Sequence, residues 1–193
     1  DLNVAATLTY TVTPTSADDC EGDPFTVTIT VNPEPQINNF TETICEGGLG
    51  FSDITPLNGT DGVVPTGTTY SWEIASTSSS DITGGSSGSG STILGSVLQN
   101  ASNSPQNLVY TVTPTTTTGN ESCVGADFTV TITVNPTAQV NQPDNYEYCN
   151  GDITSIIFTT SNGGVDSVTT YAWEILAGSD DIGLDSSIDG DIS

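Results

Sequence analysis

The chain has 193 residues, of which 24 are Asp or Glu and none is Lys, Arg or His, so its formal net charge at pH 7 is −24. Without cationic side chains it can form no side-chain salt bridge, and it cannot neutralise the phosphates of a nucleic acid or an anionic membrane surface. The absence of His and Lys also excludes a nucleophile activated by a Ser–His or Cys–His pair.

Hydrophobic residues make up 34% of the chain, and many are β-branched or aromatic residues that alternate with polar ones. Solvated acidic tails lack such alternation, so the sequence predicts a folded chain rather than a disordered one. No run of 18 or more apolar residues occurs, so direct membrane insertion is not expected.

The first two predicted strands are LTYTVT, residues 8–13, and FTVTITV, residues 25–31. In the second, four apolar residues alternate with three threonines, which is the period of a strand with one face buried. The β-branched threonines on the wet face also favour an extended chain.

The central part of the chain predicts about seven antiparallel strands separated by Gly-, Asn- and Pro-rich turns, and no segment has helical periodicity. We place these strands near residues 39–45, 49–57, 68–75, 80–84, 92–99, 107–114 and 126–134. In YSWEI, Tyr70 and Trp72 share one face, and in a later copy, YAWEI, Tyr171 and Trp173 do the same. We expect these four aromatic residues in hydrophobic cores, with Trp72 between two sheets. The pattern predicts an all-β fold of tandem immunoglobulin-like sandwiches.

The sequence repeats itself at a spacing of about 100 residues. PFTVTITVNP at 24–33 returns as DFTVTITVNP at 127–136, and TTYSWEI at 68–74 returns as TTYAWEI at 169–175. A period of this length suits a whole domain. We therefore divide the chain into the C-terminal part of one domain, a complete domain and the N-terminal part of a third: 1–34, 35–135 and 136–193. We expect it to be a window from a longer tandem array, arranged as a rod with short Pro-containing junctions.

The order of the segments ICEG, YSWEI, GGSSGSGSTI, LVYTVTPT, Cys-x-Gly and FTVTITVNP resembles the PKD-like repeat of Bacteroidota surface proteins. These include the large gliding-motility adhesins of the SprB type, and the resemblance covers essentially the whole chain. It implies many such domains in series, export by the type IX secretion system and an extracellular place in a filament attached to the outer membrane. It brings no catalytic residues.

Four cysteines, each in a Cys-x-Gly tripeptide, are too widely spaced for a structural zinc site. Structural disulfides in an oxidising compartment are the favoured interpretation. The preferred pairing is Cys45 with Cys123, inside the complete domain. Two alternatives remain open: Cys20 with Cys45 and Cys123 with Cys149 across neighbouring domains, or pairing of each loop cysteine with a domain beyond this chain.

Acidic loops are the candidate metal sites. The sequence SADDCEGD offers Asp18, Asp19, Glu21 and Asp23. A later loop offers Asp180, Asp181, Asp185, Asp189 and Asp191. Neither loop has the EF-hand order, and the corresponding loop of the complete domain has only Asp81. We therefore expect no metal site and no cofactor, apart from weak Ca²⁺ binding to the overall negative charge.

Enzyme activity is not expected. Paired carboxylates for glycoside hydrolysis need a shared cleft, and Glu73 and Glu174 lie on the outward faces of their predicted strands. Four Asn-x-Ser/Thr tripeptides, at Asn39, Asn58, Asn100 and Asn120, match the N-glycosylation pattern, and we interpret most of them as chance.

Two functions remain. The favoured one is a structural stalk or spacer in a large repetitive surface adhesin, which projects adhesive regions from the cell and has no ligand site of its own. The expected partners are neighbouring repeats of the same chain, filaments formed by self-association, and a distal surface or polysaccharide. The alternative is a calcium-dependent module that binds glycans or surfaces through its loops.

Overall fold

A computed structural model describes residues 4–119, 121–162 and 169–174, and in these residues the only regular secondary structure is β-strand. This confirms the predicted all-β class. The strands are β1 (Ala6–Val12), β2 (Phe25–Val31), β3 (Gln36–Ile37), β4 (Phe40–Cys45), β5 (Gly62–Val63), β6 (Thr68–Thr77), β7 (Ile82–Thr83), β8 (Gly88–Gly90), β9 (Gln99–Asn100), β10 (Gln106–Thr118), β11 (Glu121–Val124), β12 (Phe128–Asn135), β13 (Val140–Asn141) and β14 (Thr159–Thr160).

The main sheet has the strand order β4–β12–β10–β6–β8, and β11 pairs with the far end of β10. The β4–β12 pair is parallel, and the other pairs are antiparallel. On one side, β10 pairs with β12 up to Val112 and with β11 from Thr115 onward. Pro114 lies at this exchange, where a residue without an N–H interrupts the ladder least.

A second layer covers one face of the main sheet. It consists of the short pairs β3–β5 and β7–β9 and a bridge between Ile54 and Ile93. The core between the layers contains thirteen buried hydrophobic residues: Phe51, Tyr70, Trp72, Ile82, Ile93, Leu98, Leu108, Tyr110, Val112, Phe128, Val130, Ile132 and Val134. Alternation places the apolar residues of β12 and Leu108, Tyr110 and Val112 of β10 in this core. The threonines of β12 lie on the opposite face, whereas Thr116 of β10 is buried.

Several predicted strands were placed wrongly. Residues 49–57 and 92–98 form loops joined by a single bridge, whereas GSG at 88–90 and the cysteine loop at 121–124 are strands. The alternation of β6 also stops after Trp72. Ile74 is 39% exposed although it lies opposite the buried Tyr110, and the pairing of β6 with β10 shifts register just beyond it, between Val109 and Tyr110.

The segment before the complete repeat reproduces part of it. The β1–β2 hairpin pairs Val12 with Phe25, as β10 and β12 pair Val112 with Phe128. In its loop, the Gly22 amide donates to the Pro14 carbonyl at 2.9 Å, and the Gly125 amide donates to Pro114 at the same distance. Equal local sequence therefore gives equal pairing in these two hairpins. In the segment after the repeat, β13 pairs with β14, which corresponds in sequence to residues 55–56 and not to β5.

Candidate functional site: the two ends of the complete repeat

The complete repeat has two distinct ends. Strands β4 and β12 run parallel, so both start near the point where the chain enters the repeat and end where it leaves. We call the end near Pro35 the leading end and the end near Asn135 the trailing end. Residues at these ends contact the segments of the chain that precede and follow it.

At the leading end, two linker prolines are packed into the protein: Pro33 and Pro35 are both buried. Gly125, at the end of the β10–β11 hairpin, lies directly against this linker. A Cβ at Gly125 would be only 2.1 Å from the Pro35 carbonyl oxygen, so glycine is required for the close approach. The linker and the hairpin loop therefore hold each other in place.

At the trailing end, Glu46 holds the start of the next segment. Its amide donates to the Asn135 carbonyl at 2.8 Å. Its carboxylate oxygen Oε2 accepts hydrogen bonds from the Thr137 amide at 3.2 Å and from the Thr137 hydroxyl at 2.9 Å. Sequence reasoning missed this contact. The Cys-Glu-Gly pattern draws attention to Glu46, but only the position of β4 beside β12 shows that its carboxylate binds Thr137.

The predicted disulfide between Cys45 and Cys123 is wrong in this structure. Both thiols are free, as are those of Cys20 and Cys149. Cys45 lies beside Asn135 at the trailing end, whereas Cys123 pairs with Thr116 beyond the other end of β12. Ten residues of β10 separate these two levels, about 33 Å in an extended strand. A disulfide needs Cα atoms within about 7 Å.

The aromatic residues of the complete repeat lie where the sequence places them. Tyr70 and Trp72 are 3% and 7% exposed, and the indole Nε1 of Trp72 donates to the Ser86 carbonyl at 3.2 Å. Tyr70 packs edge-on against Phe128. Burial raises the pKa of the Tyr70 phenol, and the nearby Asp61 carboxylate raises it further.

Their counterparts in the third segment are less buried. Tyr171 and Trp173 are both half-buried, and Tyr171 packs against Phe158 with ring centroids 5.1 Å apart. Within the described residues, the buried Nε1 of Trp173 has no hydrogen-bond partner. The counterpart of Ser86 in the repeat is Ser186, which lies outside the described residues.

The acidic candidates do not converge. Asp18, Asp19, Glu21 and Asp23 are all exposed, and the described part of the chain contains no group of three or more potential metal ligands. The acids at 180–191 lie outside the described residues. Glu73 and Glu174 are exposed, as their outward positions predict.

Asn100 is a buried polar residue that sequence reasoning missed. It is 1% exposed, and its Nδ2 donates to the carbonyls of Val134 at 2.8 Å and Ser104 at 2.9 Å. Its Oδ1 accepts from the amide and hydroxyl of Ser102. Although its tripeptide matches the glycosylation pattern, the Asn100 side chain therefore links a loop to the sheet.

One apolar groove is present in the third segment. It has a volume of about 390 Å³, and its lining includes Tyr146, Tyr148, Ile156 and Phe158. The two tyrosine rings are stacked 6.1 Å apart. No helix in the described residues is long and apolar enough to cross a membrane.

The fold defines a class of protein: an all-β, immunoglobulin-like sandwich repeat whose β10–β12 hairpin recurs as the β1–β2 hairpin before it. The family model of the PKD-like domain matches residues 2–35 and 42–138, more than half of the chain. The chain therefore belongs to the PKD-like domain family. No curated protein and no solved structure matches it.

Proposed function

We propose that this chain is a structural spacer in a large, repetitive cell-surface adhesin or filament of a Bacteroidota-type cell, secreted by the type IX system and involved in gliding or adhesion. Membership of the PKD-like family is consistent with an extracellular spacer module of this kind. In this proposal the repeats form a rod that holds adhesive regions away from the outer membrane.

The observation that carries the proposal is the construction of the two ends. A spacer must transmit position from one repeat to the next, so its linkers must be ordered. The linker prolines are buried at the leading end, and Glu46 binds Thr137 at the trailing end. Proline also removes conformational freedom from the unfolded linker, so less entropy is lost on ordering it.

The charge of −24 supports the same function. Like charges along neighbouring filaments oppose lateral pairing of their exposed strand edges, which in other proteins is prevented in part by lysines. The repulsion extends about 8 Å at physiological salt. We therefore propose that higher salt or added Ca²⁺ promotes lateral association, which light scattering would measure. Scattering that stays constant over the whole series would contradict this part of the proposal.

The experiment that tests the spacer is small-angle X-ray scattering on the whole chain. The comparison variant has a flexible Gly-Ser insert between Asn135 and Pro136. If the trailing junction is ordered, the insert broadens the distribution of interatomic distances at its long end. If both chains give the same distribution, the native junction is already flexible and the spacer proposal fails.

We also propose that the chain has no catalytic activity and that its partners are neighbouring repeats and a distal surface or polysaccharide. The exposed, separated carboxylates support this, because acid–base pairs need a common cleft. Release of reducing sugar from surface polysaccharides by the purified chain would contradict it.

One observation favours the alternative, a calcium-dependent glycan- or surface-binding module. The groove lined by Tyr146 and Tyr148 presents aromatic rings on an exposed surface. Calorimetry with surface polysaccharides, with and without Ca²⁺, separates the two functions. Micromolar binding that is lost in Tyr148→Ala would support the module, and its absence would leave the spacer.

A further inference from the structure

Strand β4, near the start of the complete repeat, lies beside β12, its last strand, and runs in the same direction. Six residue pairs join the two strands, from Phe40 opposite Val130 to Cys45 opposite Asn135. The other pairings of the main sheet are antiparallel. The parallel pair therefore connects the start of the repeat directly to its end.

A pull along the chain loads this pair in shear. The chain reaches β4 from the leading end and leaves β12 at the trailing end. Tension between the preceding and the following segment therefore pulls the two strands past each other along their length. Because the hydrogen bonds of a parallel pair are evenly spaced, all six pairs share the load. Strands that are pulled apart from one end, in contrast, lose one pair at a time.

A side chain extends the ladder at the leading end. Asn39 directly precedes β4, and its Oδ1 accepts a hydrogen bond from the Thr129 amide at 2.8 Å. Thr129 directly precedes Val130, the first residue of β12 that pairs with β4. The Asn39 side chain thus supplies one more bond between the two strands, beyond the first of their six pairs.

Glu46 extends the ladder at the trailing end. Its amide donates to the Asn135 carbonyl at 2.8 Å, and its Oε2 accepts hydrogen bonds from the amide and the hydroxyl of Thr137. These bonds lie beyond the last strand pair, Cys45 with Asn135. Hydrogen bonds to an ionised carboxylate are stronger than those between neutral groups. Side chains therefore reinforce both ends of the ladder, where rupture of a sheared pair begins.

The inner face of β4 is attached to the rest of the repeat as well. Phe40 and Ile44 pack against the core, and the Phe40 ring centroid lies 5.9 Å from that of Phe128. Between them, Glu42 accepts a hydrogen bond from the Ser52 amide at 3.3 Å. A slip of β4 by one residue would turn these side chains to the other face of the sheet. The strand is therefore held against gradual sliding.

We propose that the complete repeat is a load-bearing element, that β4 and β12 form its mechanical clamp, and that Asn39 and Glu46 fasten the two ends of this clamp. The repeat would then carry tension between the segments before and after it without unfolding. This function goes beyond that of a spacer, which needs ordered junctions but no resistance to force.

The cysteines of the chain provide the attachment points for single-molecule force spectroscopy. Cys20 and Cys149 lie before and after the complete repeat, Cys45 lies at the end of β4, and all three are exposed. In the full chain with Cys45→Ser and Cys123→Ser, handles on Cys20 and Cys149 load the clamp in shear. With Cys20→Ser and Cys123→Ser, handles on Cys45 and Cys149 pull both strands from the trailing end and unzip them.

At equal loading rates, rupture in shear should need at least about twice the force of unzipping, because six pairs share the load in shear and single pairs carry it in unzipping. In shear, the release of residues 40–135, at most about 350 Å of extended chain, identifies the event as unfolding of the complete repeat. Equal rupture forces in the two geometries would overturn the proposal.

The two fastening side chains are tested in the shear geometry. Asn39→Ala and Glu46→Ala should each shorten the lifetime at constant force about fivefold, the factor expected for one lost hydrogen bond. Asn39→Asp and Glu46→Gln keep an acceptor oxygen and should keep the native lifetime. Asn38→Ala is the control, because Asn38 contacts Asp61 through its backbone amide. Native lifetimes in both Asn39→Ala and Glu46→Ala would overturn the role of these side chains.

The clamp and the spacer function can fail separately. A chain with ordered junctions in scattering that ruptures at the same force in both geometries would retain the spacer function and overturn the clamp. A chain with flexible junctions that still resists shear more than unzipping would support the clamp and contradict the spacer.

Discussion

The indole ring of Trp72 occupies the space where the Cβ of residue 88 would lie, and that residue is glycine. A Cβ at Gly88 would be 2.5 Å from Cζ2 of Trp72 and 2.9 Å from Cε2. The contact is made between the paired strands β6 and β8, in which Trp72 lies opposite Gly88. The glycine-rich segment is therefore a strand, and Gly88 in it leaves room for the ring of Trp72.

Gly88→Ala should destabilise the complete repeat by about 1–3 kcal/mol, because the added methyl group must displace a buried ring. Chemical denaturation followed by circular dichroism measures the change. Gly90→Ala in the same strand is the control, since its nearest neighbour, the Thr92 carbonyl oxygen, lies 3.3 Å away. In the double variant with Trp72→Phe the effect of Gly88→Ala should shrink. Equal losses for both glycines would contradict this account.

Asn100→Ala should cost about 2–4 kcal/mol of unfolding free energy, because it removes four hydrogen bonds and leaves buried groups unsatisfied. Asn58→Ala is the matched control. Asn58 is exposed and accepts one hydrogen bond, from the Val64 amide, so its loss should cost less than about 1 kcal/mol. Denaturant titration of both variants distinguishes them, and a neutral Asn100→Ala would show that the tie to Val134 is dispensable.

The stability of the complete repeat should fall at high pH through Tyr70. Its pKa is raised by burial and by Asp61, so the folded state binds the phenolic proton more tightly than the unfolded state does. This contribution is fully present below the ordinary tyrosine pKa of 10.0 and is lost as pH rises through the higher folded value. Tyr70→Phe should therefore lose less stability than the native chain above pH 10. Parallel curves for the two proteins would exclude the effect.

Reduction should not destabilise the monomeric chain. Cys45 and Cys123 lie about 33 Å apart along β10, so no intrachain bond between them contributes to stability. Melting temperatures with and without dithiothreitol, at low protein concentration, should agree within about 1 °C, well below the shift that even 1 kcal/mol produces in a domain of this size. A drop of several degrees on reduction that is absent in Cys45→Ser would instead support an intrachain disulfide.

Much of the fold follows from local sequence. The alternation in FTVTITV and YTVT predicts strands and indicates which face of each is apolar, and β10 and β12 bury that face in the complete repeat. Tyr70 and Trp72 were predicted in the core and lie there. These predictions succeed because the side-chain period of a strand is a local property. The division into 1–34, 35–135 and 136–193 remains a prediction from the repeat period.

Only the tertiary structure shows which strands and which side chains lie beside each other. Alternation does not say which strand lies beside which, so it could not place Cys45 and Cys123 at opposite ends or bring Glu46 to Thr137. The sequence pattern predicted a turn at GSG. Glycine is needed there because the ring of Trp72, sixteen residues earlier in the chain, fills the space of a Cβ. The sequence determines that β10 and β12 each have an apolar face, and only the arrangement of strands around that face decides that it is buried.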